Sequence, residues 1–220
     1  LERKERERIE LQEAEKKHRI KRLFDTSMLG PRFAECTFEN WIPMPGTEVA
    51  HYEAQNFVSS FSDKMRTGEG LLFYGPPGNG KSHLAAAIAN KLISMEFTVV
   101  FANVPSLLGR IRKTYSEKRG ETEADILQAV SDCSLLILDD AGAEKWSDWV
   151  ETTLYTIVDD RYRLKKPMII TTNLTLKALE DVIGFRAFDR ILEMCMVVEN
   201  SGESFRRRKA KERITKLQKS

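Results

Sequence analysis

The sequence is poor in the residues that build disulfide frameworks and metal clusters. Its three cysteines and three histidines are scattered and include no CxxC pair: Cys36, Cys133 and Cys195, with His18, His51 and His83. Small secreted domains depend on paired cysteines, and zinc sites need closely spaced cysteine or histidine ligands. The pattern argues against both, and we expect a protein of the reducing cytoplasm.

The chain also lacks long apolar runs and a strong net charge. No stretch is long enough to cross a bilayer and no secretory signal is visible, so we expect no membrane contact. The net charge of +2 is too small to indicate a partner, although 31% of the 220 residues are charged. The charge is unevenly distributed, since residues 1–22 mix both signs densely and residues 206–220 are strongly basic. A chain of this length has room for one sizeable core with a small appendage.

Charge and turn residues divide the chain into three parts. Residues 1–24 contain neither proline nor glycine, and opposite charges recur four residues apart, which predicts a helix. This helix is either a solvated linker or an arm that docks on a partner. Prolines and glycines make residues 30–47 irregular and separate the helix from the rest of the chain. We therefore divide the chain into a charged helical arm, a core and a basic tail, at residues 1–29, 30–205 and 206–220.

The core alternates short apolar runs with helical patterns. Apolar residues at helical spacing predict helices over 52–65, 81–95, 104–131 with a break near Gly120, 147–164, and two short ones divided at Gly184. Between them, strands are predicted at 71–74, 97–102, 135–139, 168–172 and 196–198. Alternation of this kind is typical of an α/β fold, and we expect a five-stranded parallel sheet flanked by helices on both faces.

A phosphate-binding loop follows the first strand. The motif GxxxxGK[ST] is matched by Gly75, Gly80, Lys81 and Ser82. Its glycines let backbone N–H groups surround phosphate oxygens, the lysine meets the β- and γ-phosphates, and the hydroxyl can ligate Mg²⁺. We therefore predict that ATP or ADP with Mg²⁺ is bound by Gly75, Pro76, Pro77, Gly78, Asn79, Gly80, Lys81, Ser82 and His83.

The third and fourth strands supply the remaining groups that a P-loop needs. Four aliphatic residues precede Asp139 and Asp140, so we expect the first acid to hold Mg²⁺ and the second to orient or activate the attacking water. Aspartate at the second position is one methylene shorter than the glutamate common among hydrolysing relatives. Asn173 ends the fourth strand, where it could sense the γ-phosphate or hold the water, although it could also be an ordinary turn residue.

These motifs resemble those of AAA+ ATPases of the P-loop class, and more closely those of bacterial helicase loaders of the DnaC/DnaI type, including phage and prophage versions. The similar stretches are the segment 37–41, the acid-containing segment 138–145, the strand end 169–174, and the segments 184–190 and 202–208. The resemblance covers roughly residues 20–210, which is most of the chain. The resemblance implies an ATPase that loads the ring-shaped, DnaB-family replicative helicase onto single-stranded DNA and that assembles with itself through nucleotide-bridged interfaces.

The resemblance also implies roles for two arginines. Arg190 matches the arginine that such ATPases present to the nucleotide of a neighbouring subunit, and Arg186 is a weaker candidate for that role. Arg206 matches the sensor that reaches the nucleotide of its own subunit, with Arg207 as the alternative if the register is shifted by one. A planar guanidinium suits the charge that spreads over a transferring γ-phosphoryl group.

A basic segment between the second and third strands is a candidate for single-stranded DNA. Residues 109–119 contain five basic residues and one aromatic ring, and this combination can follow phosphates and stack on an unpaired base. A plain helix with a solvated basic face is the competing interpretation. Trp146 and Trp149 are weaker candidates, and the basic tail could bind nucleic acid, pack on a neighbour or fray. The residues that we select are Arg110, Arg112, Lys113 and Tyr115.

The function that these features favour is ATP-dependent loading of a replicative helicase. The nearest alternative is a transposition helper ATPase of the IstB type, which shares the core motifs. A third interpretation is a nucleotide-gated adaptor with negligible hydrolysis, because the acid at position 140 is an aspartate, one methylene shorter than glutamate. A small-molecule kinase is disfavoured, because no acceptor-binding lid is evident.

Overall fold

The five strands form one all-parallel sheet in the order β2-β3-β4-β1-β5, which confirms the predicted fold class. The computed structural model describes residues 2–24, 29–116, 120–145 and 147–217. The strands are β1 Gly70–Tyr74, β2 Val99–Asn103, β3 Leu135–Asp139, β4 Met168–Thr172 and β5 Cys195–Glu199. The helices in the described residues are α1 Glu2–Leu23, α2 Gly30–Ala34, α3 Glu48–Ser59, α4 Phe61–Thr67, α5 Lys81–Ser94, α6 Val104–Thr114, α7 Glu123–Asp132, α8 Asp148–Arg163, α9 Leu176–Ile183, α10 Phe185–Met194 and α11 Phe205–Leu217.

Two apolar cores lie on the two faces of this sheet. Successive strand residues point to opposite faces, so Leu71 and Phe73 belong to one core and Leu72 to the other. Helices α3, α4 and α5 cover the first face, and α6 to α10 cover the second. Because both faces are covered, the strands read as near-continuous apolar runs, which is why they were visible in the sequence. None of the described helices is long and apolar enough to cross a membrane.

The structure differs from the predicted helix over residues 52–65. That segment is two helices, because α3 ends and α4 begins at Ser60, whose hydroxyl donates to the carbonyl of Asn56 at 2.7 Å. Phe57 and Phe61 are buried on either side of the break and keep helical spacing across it, so periodicity alone does not reveal it. The segment 30–47 was predicted to be irregular, and it contains the short helix α2.

The charged helix α1 forms as predicted, but its last turn packs against the core. Residues 5–18 are exposed, whereas Ile20, Leu23 and Phe24 are buried. The Lys16 ammonium lies 3.9 Å from a carboxylate oxygen of Asp132, at the end of α7. The first part of the helix is exposed, which fits both a solvated linker and an arm that docks on a partner, and the last turn belongs to the packing of the second core.

A fully buried arginine joins α8 to the turn between α7 and β3. The Arg161 guanidinium donates to the carbonyls of Val130 at 3.0 Å and Cys133 at 2.7 Å, and also to Pro167. Burial lowers the pKa of this guanidinium. Carbonyls at the end of a helix lack intrahelical partners and carry partial negative charge, so they suit a cation. Arg161 thus satisfies the turn that leads into β3.

Candidate nucleotide site

The motif residues meet at the carboxyl ends of three adjacent strands. The P-loop follows β1, the two acids end β3, and Asn173 follows β4, which lies between the other two strands. Ligands of open parallel sheets bind at this edge, where strand order reverses. The topology therefore brings the sequence-predicted groups to one place.

The P-loop backbone needs glycine at both ends. Gly75 has φ of 134° and Gly80 has φ of 98°, a region that residues with a Cβ rarely adopt. A Cβ on Gly80 would lie 2.4 Å from the ring of Trp41, and one on Gly75 would lie 2.3 Å from the carbonyl oxygen of Asn200. Since Gly80 is the N-cap of α5, the open N–H groups of that helix face the bend of the loop. The geometry is that of an anion-binding loop.

Lys81 lies against the inside of the loop. Its ammonium donates to the carbonyls of Gly75 at 2.7 Å and Pro76 at 2.8 Å, and its side chain is buried. Burial lowers the pKa of Lys81 to about 8, although the carboxylates of Asp140 and Asp139 oppose that shift. A lysine with this pKa is still largely charged near neutral pH, so the loop holds a positive charge where phosphates would lie.

Asp139 and Asp140 are joined by a threonine that the sequence analysis did not select. The Thr171 hydroxyl on β4 donates to Oδ1 of Asp139 at 2.7 Å and accepts from the backbone N–H of Asp140 at 3.0 Å. Burial raises the pKa of Asp139, while the hydroxyls of Thr171 and Ser82 lower it. One buried carboxylate beside one hydroxyl is a donor set that fits Mg²⁺, which prefers oxygen ligands and keeps several waters.

Asn173 holds the second acid. Its amide Nδ2 donates to Oδ1 of Asp140 at 2.7 Å. The backbone of Asp140 has φ of 60°, an uncommon conformation for a residue with a side chain. The structure therefore brings Asn173 to the carboxylate that we expect to face the attacking water, and its amide fixes the orientation of that carboxylate.

A cavity of about 330 Å³ opens beside the P-loop. It lies between the segment 32–44, the loop residues 78–83 and the start of α11. Trp41 forms part of its wall and stacks on His51, with ring centroids 5.7 Å apart and planes 6° apart. Its size falls in the range of small-ligand sites. Trp41 belongs to the segment 37–41 that resembles the loader family, and nothing in the local sequence indicates that its ring lies against the P-loop.

Helix α11 starts against the P-loop and brings Arg206 to the cavity. The backbone N–H of Phe205 donates to the carbonyl of Gly78 at 2.9 Å. Arg206 lines the cavity, and its charge lowers the pKa of Lys81. Lys209, one turn further along the helix, lines the cavity too, whereas the alternative Arg207 does not. This geometry favours Arg206 over Arg207 as the arginine of the chain's own site.

The far side of the P-loop is tied to the end of β5 by two asparagines. The Asn79 side-chain amide donates to the carbonyl of Asn200, and the Asn200 amide donates to the carbonyl of Asn79 at 3.2 Å. Both residues are buried. They are separated by 121 positions in sequence, so no local pattern could have paired them.

Arg190 lies outside the cavity, on the surface of α10. Its Nε lies 2.9 Å from Oδ1 of Asp159 on α8, and its guanidinium lies over the rings of Tyr155 and Tyr162. Arg186, one turn earlier, is exposed. Arg190 is therefore not among the residues that line the nucleotide cavity of its own chain.

The candidate DNA residues share helix α6 and its end, but their side chains have partners within the chain. Arg110 pairs with Glu121 and lies over the ring of Phe24 at 4.7 Å. Arg112 lies over the ring of Trp149 at 4.6 Å. These contacts take up part of the charge on which the DNA hypothesis depends.

Tyr115 remains more than half exposed at the end of this helix. Its hydroxyl accepts from the indole N–H of Trp149 at 3.1 Å and donates to Glu123 at 2.8 Å. Lys113 also interacts within the chain. Three further residues that the sequence analysis considered for nucleic-acid contact lie outside the described residues: Lys118, Arg119 and Trp146.

Comparison with known proteins gives a consistent picture. The model of the family described as IstB-like ATP binding protein matches residues 32–213. The replicative helicase loader DnaC of Escherichia coli (strain K12) is 29% identical over 174 residues, which cover 79% of this chain and 69% of that protein. The crystal structure of the DnaC helicase loader superposes with a TM-score of 0.70 and 27% identity, covering 78% of this chain and 100% of that one. A DnaI crystal structure, with a TM-score of 0.66 and 24% identity, covers 79% of this chain and 92% of that one and supports the fold.

Proposed function

Because this chain belongs to the family of IstB-like ATP binding proteins, we propose that it is an AAA+ ATPase that loads a ring-shaped replicative helicase onto single-stranded DNA. In this proposal, nucleotide binding and hydrolysis switch its grip on the helicase. The arm spans residues 1–29, the core 30–205 and the tail 206–220. ATP binding follows from the family, whereas the helicase partner and the nucleotide-dependent switching of its binding are proposals.

The observation that carries the proposal is the similarity to helicase loaders along most of the chain. The site geometry alone would suit many P-loop ATPases. The similarity to the E. coli loader extends over 79% of the chain, at 29% identity. The solved loader structure is matched over its whole length. These two findings favour a helicase over other partners.

The residues of the site suit phosphoryl transfer to water. The P-loop N–H groups and Lys81 would bind the phosphates, with the ammonium leaving the carbonyls of Gly75 and Pro76. Ser82 and Asp139 would hold Mg²⁺, which when bound neutralises charge on the β- and γ-phosphates. Asp140, oriented by Asn173, would orient the attacking water. The water oxygen bonds to the γ-phosphorus while the bond between the γ-phosphorus and the bridging oxygen of the β-phosphate breaks. Because Asp140 is short, we expect slow turnover that DNA or the helicase stimulates.

The rest of the cavity suits the nucleoside and the switch. Trp41 offers an aromatic wall for the base, and the segment that carries it contacts the P-loop at Gly80 and contacts α11 where Nη1 of Arg208 lies 2.8 Å from the sulfur of Met44. Arg206 would meet the phosphates of its own subunit. Arg190, which does not line its own cavity, would complete the site of a second copy, so assembly would raise turnover.

The proposed DNA contact is the surface around Tyr115. Its ring is exposed beside Arg112 and Lys113, and an aromatic ring next to cations can stack on a base while the cations meet the backbone. Arg110 contributes less in this proposal, because Glu121 neutralises it.

The test measures ATP hydrolysis by wild type and Lys81→Ala, alone, with single-stranded DNA, and with the replicative helicase of the host. Loading is measured in parallel as helicase bound to circular single-stranded DNA. We expect slow basal turnover, stimulation by DNA or helicase, and nucleotide-dependent loading, all lost in Lys81→Ala. Binding of ATP without turnover under every condition, but with loading intact, would indicate a nucleotide-gated adaptor.

The second candidate is a transposition helper ATPase, which the name of the matching family favours. Both candidates share the nucleotide site, so turnover does not separate them. Affinity purification from the host does: recovery of a hexameric helicase supports loading, and recovery of a transposase without the helicase contradicts it.

A further inference from the structure

The side chain of Arg190 is held by three residues of helix α8. Its Nε lies 2.9 Å from Oδ1 of Asp159, and its guanidinium carbon lies 4.9 Å from the ring centre of Tyr155 and 5.5 Å from that of Tyr162. We call Tyr155, Asp159 and Tyr162 the α8 cradle. They recur at spacings of four and three residues, so they lie on one face of the helix.

The α8 cradle restrains the arginine and leaves one edge open. Nη1 donates to the backbone carbonyl of Arg186 at 3.2 Å, and the two rings fix the plane of the guanidinium. Nε and the Asp159 oxygen form a close ion pair without hydrogen-bond alignment. Within the described residues Nη2 has no hydrogen-bond partner, and the side chain keeps 26% of its exposure. A free arginine loses rotamer entropy when it is ordered, so this restraint lowers the cost of ordering the side chain when it binds an anion.

The acid in the α8 cradle is not needed to hold the two helices together. Helices α8 and α10 already pack through the apolar core, where Leu154, Val158 and Ile191 are buried. The Asp159 side chain is only 16% exposed, which costs desolvation free energy that an apolar residue would not. A second cation, Arg163, is largely exposed, and its Nη1 lies 3.8 Å from Oδ2 of Asp159, which is too long for a hydrogen bond. The feature that distinguishes Asp159 is its contact with Arg190.

We propose that Asp159 is a positioning residue that orients Arg190 toward the nucleotide of a second copy of this chain, with Tyr155 and Tyr162 fixing the plane of the guanidinium. The inference rests on the in-trans role of Arg190 in the proposed function. In this proposal Asp159 contacts neither the nucleotide of its own subunit nor that of the neighbour. It acts by keeping the arginine in one conformation with its Nη2 edge available. The arginine then meets the γ-phosphoryl group of the neighbour without further ordering.

Mixing experiments separate the subunit that donates the arginine from the subunit that hydrolyses ATP. A Lys81→Ala subunit cannot turn over ATP but still donates Arg190, and an Arg190→Ala subunit keeps its own site but donates nothing. We expect a mixture of the two to recover turnover that neither shows alone. Replacing the donor by Lys81→Ala/Asp159→Asn should lower the recovered turnover about tenfold or more, because misplaced catalytic groups cost rate steeply. Lys81→Ala/Asp160→Asn is the matched control and should recover it fully.

The direction of the defect excludes a loss of folding. Asp159→Asn with its own Lys81 intact should hydrolyse normally when Lys81→Ala is the donor, since its own site is unaffected. Asp159→Glu in the donor should restore part of the loss, because it keeps the charge. Equal recovery with the Asp159→Asn and Asp160→Asn donors would overturn the role of Asp159. Absence of recovery in the first mixture would instead overturn the in-trans role of Arg190, and the inference with it.

Discussion

Replacing Thr171 by valine would test the connection between the two acids of the site. Valine has nearly the shape of threonine but lacks the hydroxyl, so packing is almost unchanged. The substitution removes the donor to Asp139 at 2.7 Å and the acceptor for the backbone N–H of Asp140 at 3.0 Å. Thr171 is buried, so water cannot readily replace either bond.

The magnitude follows from the two groups that lose a partner. A hydrogen bond to a charged group contributes about 1.5–3 kcal/mol, and a buried N–H without a partner costs about 1–3 kcal/mol. Some relaxation of the loop after β3 will offset part of this. We therefore expect the free energy of unfolding to fall by about 2–4 kcal/mol at neutral pH, measured by urea denaturation.

The pH dependence has a defined sign. The pKa of Asp139 is raised in the folded protein, so its contribution to stability is complete when the carboxyl is protonated and is lost as pH rises through the folded pKa. The Thr171 hydroxyl lowers the pKa of Asp139, so removing that hydroxyl raises the pKa further. The stability deficit of Thr171→Val should therefore be largest at neutral pH and shrink as pH falls through the folded pKa of Asp139.

Thr172→Val is the matched control for Thr171→Val. The Thr172 hydroxyl is equally buried and donates to the carbonyl of Ala141 at 2.6 Å, but it touches neither acid. Both variants should lose stability, and only Thr171→Val should also lose ATP turnover at temperatures where both are folded. Thr171→Ser should retain both properties. Wild-type turnover by folded Thr171→Val would refute the reasoning.

Two buried cations lead to further predictions. Because the pKa of Lys81 is about 8 and phosphates require its charged form, ATP affinity should be constant below that pH and should fall roughly tenfold per pH unit above it. Calorimetry in buffers of different ionisation enthalpy should show proton uptake on ATP binding at about pH 9. Constant affinity from about pH 7 to 9.5 would contradict this. Arg161→Leu should lower the free energy of unfolding by about 3 kcal/mol or more, because it leaves the carbonyls of the α7–β3 turn without a hydrogen-bond donor. The control Arg163→Leu, at an exposed residue, should change the free energy of unfolding by under about 0.5 kcal/mol. Equal melting temperatures of the two variants would contradict the role assigned to Arg161.

Local patterns were sufficient for the sheet and the motifs. Strands buried on both faces are continuous apolar runs, and β3 and β4 begin and end where the sequence predicts. Phosphate binding needs closely spaced glycines and a lysine, so the P-loop is also local in sequence. The sequence also placed Asn173 at the end of a strand, where it could face the site or serve as an ordinary turn residue, and its hydrogen bond to Asp140 joins it to the site.

Contacts between distant segments were not predictable in the same way. Thr171 reads as an ordinary strand residue until β4 is known to lie beside β3, and Trp41 reads as a loop residue until its ring is seen against Gly80. The ion pair of Arg190 joins it to one of several acids on α8, and the sequence does not indicate which one. In each case the deciding quantity is a pairing across the fold, and a single sequence does not specify which of many similar residues will pair.

The position of β4 between β1 and β3 also limits which insertions and deletions the chain can tolerate. Its residues contact the strand that precedes the P-loop on one side and the strand that ends in the acids on the other. Since side chains alternate between faces, sliding β4 by one residue would turn Thr171 away from both acids while leaving the backbone hydrogen bonds available. A change in the length of the turn before Met168 should therefore disrupt the nucleotide site, because it would shift the register of β4 against β3.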